Sequence, residues 1–155
     1  MSVKSLVVAA IVIGVASGTA LAQSSNPLIG TWKLNAEKSK NTTFKSGSTT
    51  IEEAGDGVKY TVDLAGADGT AYHWTFTAKY DGRDNPVTGN SPFGDTVALT
   101  RVDPHTTRTI VKQGGKEIAT QTTTVSADGK TRTTATKGTD AKGQKIDAVS
   151  FYEKQ

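Results

Sequence analysis

An all-β fold is what this 155-residue sequence predicts: an antiparallel up-and-down meander closed into a β-barrel of about 8–10 strands. Three observations carry that expectation. Beyond Ile29 the apolar residues alternate with period two, and no stretch shows the 3.6-residue spacing of a helix. Asp-Gly and Gly-Gly pairs interrupt the alternation at short intervals, where glycine takes positive φ freely and aspartate tolerates it. The strands between these turns follow one another in sequence order, and a meander has no edge to protect only if it closes on itself. A sandwich is the second architecture compatible with the pattern.

Residues 1–22 read as a cleavable signal peptide: a basic start at Lys4, an apolar run from Leu6 to Ala16, and Ala20-Leu21-Ala22 as the small-x-small cleavage pattern. The apolar run is shorter than the roughly 18–20 residues that span a bilayer, so no integral membrane span is expected after cleavage. The implied location is periplasmic or secreted. Residues 23–155 then form one domain, with strands expected near 29–35, 48–54, 58–65, 71–80, 96–102, 107–113, 117–126, 130–137 and 145–153. Val58, Tyr60, Val62 and Leu64 alternate with Lys59, Thr61 and Asp63, and Tyr72, Trp74, Phe76 and Ala78 alternate with His73, Thr75 and Thr77. Threonine, tyrosine and valine suit a pleated, half-buried surface better than a helix. Turns are expected at Asp56-Gly57, Asp68-Gly69, Asp81-Gly82, Gly114-Gly115, Asp128-Gly129 and across 140–143, with a longer loop over 86–94 holding one short strand near Val87.

Composition narrows the function. After cleavage, 17 basic residues face 15 acidic ones, a net charge of +2, which predicts neither a nucleic-acid footprint nor strong attraction to a membrane surface. There is no cysteine, so an exported chain of this size must rely on packing and backbone pairing alone. Residues 23–155 hold eight Val, five Ile, four Leu and four Phe, a thin supply, yet the near-zero charge argues against disorder. The inference is a folded domain with a partly polar interior.

Ile29-Gly30-Thr31-Trp32 opens the domain, and this segment resembles the Gly-x-Trp signature of lipocalins and fatty-acid-binding proteins, the calycin superfamily. Phe151-Tyr152-Glu153-Lys154-Gln155 is similar to the ending of fatty-acid-binding proteins, and residues 51–58 resemble a hairpin of that family. The resemblance, which extends to bacterial exported lipocalin-like proteins, implies that Gly30 permits a tight chain entry, that Trp32 plugs one end of the barrel, and that the last strand lies beside the first. Two departures are plain. Only residues 36–47, rich in Lys, Ser and Thr, separate the first two strands, too few for the family's two-helix lid. The Arg-x-Tyr pair that holds a ligand carboxylate in that family maps onto Ser150-Phe151-Tyr152, where the tyrosine is present and the arginine is not.

Tyr60, Trp74, Phe76 and Tyr152 are the candidate aromatic walls of a ligand pocket, with ordinary core packing as the alternative for each. Arg132 is the candidate anion-holding group, able to fork onto a carboxylate, but neither alternating face of its strand is clearly apolar and its direction is not legible. Threonines from 120 to 136 replace the branched aliphatics of a solid core and suit a wet cavity or a solvated sheet equally. No catalytic, metal or cofactor constellation is visible: His73 and His105 lack ligand spacing, and Glu52 and Glu53 point to opposite faces. The functional expectation is an exported protein holding a small apolar or amphipathic ligand, which calls for an interior of roughly 300 Å³ or more. The alternative is a structural or interaction module of the cell envelope with a filled barrel.

Overall fold

The structure is a computed structural model describing residues 25–140 and 142–155; residues 1–22, expected to be the signal peptide, lie outside the described residues. Eleven strands follow in chain order: β1 (Gly30–Lys40), β2 (Phe44–Ala54), β3 (Gly57–Gly66), β4 (Ala71–Lys79), β5 (Asp81–Pro86), β6 (Thr88–Gly89), β7 (Thr96–Asp103), β8 (Thr106–Gln113), β9 (Lys116–Val125), β10 (Thr131–Thr139) and β11 (Lys145–Lys154). They form a single antiparallel sheet in the order β5-β7-β8-β9-β10-β11-β1-β2-β3-β4-β6. The protein is an all-β antiparallel meander nearly closed into a barrel.

The seam between first and last strands is made as expected: Trp32 pairs with Lys154, Leu34 with Tyr152 and Asn35 with Phe151. The opposite join is less regular. The two ends of the sheet order, β5 and β6, are consecutive in the chain, separated only by Val87. Residues of β5 bond to β7, with Asn85 opposite Val97, while β6 bonds to β4, with Gly89 opposite Trp74. One returning segment therefore divides its backbone hydrogen bonds between both neighbours, and the barrel amounts to a ten-position meander with one strand broken in two. In sequence this segment reads as a turn and a loop with one short strand near Val87, because Asp, Arg, Asn and Pro give it no apolar alternation; the structure extends pairing to both sides of Val87. Asp81-Gly82 does lie at the reversal, with Gly82 at φ 72°.

Two further local differences have clear causes. The β2–β3 turn is Gly55-Asp56, one residue earlier than expected, with Gly55 at φ 61°. Gly57 instead lies in β3, where a Cβ would run into the Ala78 carbonyl of β4. The polar 36–47 segment forms no lid; it extends β1 and β2 and turns at Asn41, whose φ of 52° suits an asparagine and whose side-chain amide donates to the Asp147 carbonyl.

The core follows the alternation. Val58, Tyr60, Val62 and Leu64 of β3 and Trp74 and Ala78 of β4 are buried, while Lys59, Asp63, His73 and Thr77 are exposed. Trp32 is fully buried, and its indole Nε1 donates to the Leu28 carbonyl at 2.8 Å, so the lead-in to β1 and the indole together fill one end of the barrel. Burying such a side chain contributes on the order of 2–3 kcal/mol, and its polar atom is satisfied.

A candidate ligand cavity around Arg132

Strand register decides where the polar strands point. Arg132 of β10 lies opposite Val125 of β9 and Tyr152 of β11, both buried, so Arg132, Thr134 and Thr136 face the interior. Thr109 of β8 and Gln121 and Thr123 of β9 join them. The direction that the sequence left open is thus inward. It could not be read because β10 carries threonine on both faces, and only its neighbours distinguish them.

These side chains face a cavity of about 80 Å³ inside the barrel. Tyr60, Trp74, Phe76, Arg132 and Tyr152 all line it, so the structure brings the five predicted residues together. Tyr60 and Phe76 stack with ring centres 4.6 Å apart. Phe44, Thr49, Phe93 and Ser150 also contribute and were not anticipated: Phe44 and Phe93 stand in segments that read as polar connections without periodicity. The volume is well short of the roughly 300 Å³ expected for a whole ligand, because the aromatic rings occupy most of the lumen. It gives room for about two or three water-sized groups. At the barrel mouth a second recess of about 210 Å³ is lined by Asn41, Pro92, Asp140, Ile146 and Ala148 among others, and shares Phe44, Phe93, Thr136 and Ser150 with the first.

Arg132 is only 3% exposed. Its guanidinium carbon lies 4.1 Å from the Tyr152 ring centre and 5.5 Å from that of Trp32, within cation–π reach of both. Among the described residues no carboxylate forms an ion pair with it, and its Nε finds no acceptor. Cation–π contacts return about 2 kcal/mol each when desolvated, whereas taking a cation out of water costs several. These contacts do not replace the hydrogen-bond acceptors that water would give the guanidinium, whose Nε is unpartnered. Burial presses the guanidinium below its ordinary pKa, with Tyr152 and Tyr60 acting the other way, and it remains a cation at neutral pH. Burial also pushes the Tyr60 phenol up to about 12, against the pull of Arg132, so Tyr60 keeps its proton and can donate it in a hydrogen bond.

Other polar groups lie outside this cavity. His73 and Asp63 meet at 2.6 Å on the exposed face of β3 and β4, and His105 sits in the turn between β7 and β8. Gly30 enters β1 at φ 135°, where a Cβ would run into the Lys154 side chain. Among the described residues no helix is long and apolar enough to cross a membrane, and no His, Asp and Glu side chains are grouped to hold a metal. Compared with known proteins, the chain matches no family model and no curated protein.

Proposed function

We propose that the protein is an exported, lipocalin-like small-molecule-binding barrel that holds an amphipathic ligand, with a negatively charged or strongly accepting end on Arg132 and apolar parts among Tyr60, Trp74 and Phe76. The observation that carries this reading is the buried guanidinium without an acceptor, aimed into an aromatic-walled cavity. Three donors converge there: the Arg132 fork, the Tyr60 phenol and the threonine hydroxyls. Export rests on the signal-like residues 1–22. The resemblance to fatty-acid-binding proteins adds one point: the arginine absent from the last strand is replaced by one directly opposite Tyr152 on the adjacent strand.

Native mass spectrometry of protein purified from its own host tests the reading. A co-purifying small acid or amphiphile, lost in Arg132→Met, is the expected result. Absence of any ligand, together with no change in Trp32 or Trp74 fluorescence on titration with short carboxylic acids, would favour the envelope-module alternative. The small inner volume supports that alternative, since a nearly filled barrel needs no ligand to be stable.

A further inference from the structure

Among the described residues Phe93 is the one aromatic side chain that borders the inner cavity and each of three recesses beyond it, while Phe44 also stands between the inner cavity and the mouth recess. Phe93 lines the inner cavity, the 210 Å³ mouth recess, a recess of about 90 Å³ beside Ile118 and Ile146, and a small space of about 40 Å³ beside Val87 and Val111. Its ring packs edge-on against Phe44 at 5.8 Å and Trp74 at 6.1 Å. Phe44 and Trp74 belong to β2 and β4 and are fixed by sheet pairing; Phe93 belongs to the connection between β6 and β7.

That connection is held at its ends and not in its middle. Asn90 donates to the His73 carbonyl and accepts from the His73 amide, and Asp95 donates to the Lys112 carbonyl and accepts from Gln113 and Gly114. Gly94 lies so close to Lys112 of β8 that a Cβ would collide with its carbonyl. The Phe93 backbone amide contacts only the neighbouring Ser91 hydroxyl, and its side chain is half-buried. The backbone that carries Phe93 can therefore shift without breaking a strand pairing, whereas that of Phe44, opposite Gly66, and that of Trp74, opposite Val62, cannot.

We infer that Phe93 sets the length of ligand the barrel accepts: with the ring in place the inner cavity takes only a short-chain carboxylate headed by Arg132, and with the ring removed the cavity joins the mouth recess and takes a long single-chain acid. The mouth recess offers an alkyl tail the apolar surfaces of Phe44, Pro92, Ile146 and Ala148, with Asn41, Thr43 and Asp140 as its polar rim. The inference rests on the ligand-binding reading above.

Calorimetric titration of acetate, octanoate and dodecanoate into the wild type, Phe93→Ala and Phe93→Trp tests it, with thermal melts confirming that each variant folds. Acetate should bind the wild type and Phe93→Ala within about threefold of each other, dodecanoate should bind Phe93→Ala at least tenfold more tightly than the wild type, and Phe93→Trp should bind octanoate more weakly than the wild type does. An unchanged length profile across the three proteins would overturn the role of Phe93 and leave the ligand-binding reading standing. No binding of any acid to any of the three proteins would overturn both.

Discussion

The two sides of the barrel are built to different specifications. On β1 to β4 the inward positions are Trp32, Leu34, Ile51, Val58, Tyr60, Val62, Leu64 and Trp74, a dense apolar wall with Thr49 as its buried threonine. On β8 to β10 the buried positions are Thr107, Thr109, Thr123, Arg132 and Thr136 interspersed with the smaller apolar Val111, Ala119 and Val125. Thr123 and Thr134 satisfy each other through hydroxyls 3.0 Å apart, so this wall keeps some of its polarity paired within itself. The first side supplies the hydrophobic stabilisation; the second supplies space and polar groups. A barrel with two walls of the first kind would be solid, and one with two walls of the second would lack the burial needed to fold.

The largest test of this division is Trp32→Ala. It removes the plug from the apolar side and should cost about 3–5 kcal/mol in denaturant unfolding. A loss below about 1 kcal/mol would show that the apolar wall does not depend on it.

Arg132→Met acts on the other side and should have the opposite sign. Replacing a buried, unpaired cation by an apolar chain of similar length should stabilise the ligand-free protein by about 1–4 kcal/mol, read as a raised denaturation midpoint. A destabilised variant would mean that the aromatic contacts of Arg132 are worth more than its desolvation costs.

Tyr60 belongs to the apolar wall and gives a pH signature. Its folded-state pKa of about 12 lies above the ordinary phenol value of 10, so its contribution is fully present below pH 10 and is lost as pH rises towards 12. The wild type should lose on the order of 2–3 kcal/mol across that interval that Tyr60→Phe does not lose, measured as the difference between their denaturation midpoints at pH 9 and pH 12. Parallel curves would place the phenol in water.

Thr123→Val is the mildest change. Breaking the hydroxyl pair with Thr134 should cost about 1 kcal/mol, because one hydroxyl is left without its partner while the added methyl regains some burial. A gain in stability would show that the polar wall is not held by that pair.

The same division explains what could be read from sequence. Alternation on β3 and β4 is unambiguous because large apolar side chains face threonine, lysine and aspartate, so Tyr60, Trp74 and Phe76 could be placed on one face directly. On β10 threonine stands on both sides of the pleat, and a one-residue slip would change little in composition; the pairing of Arg132 with Tyr152 is what fixes it. Phe93 had no periodic context at all, and its place in the site comes from a loop folded back over the lumen. Of the broken strand β5–β6 only a short piece near Val87 was legible, because Asp, Arg, Asn and Pro give β5 no apolar alternation and β6 is two residues long.

Apart from that broken strand, each strand pairs with the one beside it in sequence, and the exception that spans the molecule is β1 against β11. Hairpin contacts close short loops, whereas this one must bring together positions more than a hundred residues apart, with a closure entropy that grows as about (3/2)RT ln n. The ring-closing contact therefore carries the largest entropic penalty of any pairing, and it is the one that stands to form late. Trp32 lies on that seam, opposite Lys154, with the lysine ammonium 5.1 Å from its ring centre. Its fluorescence is a built-in reporter of circularisation, separable in time from the Trp74 signal of the β3–β4 hairpin.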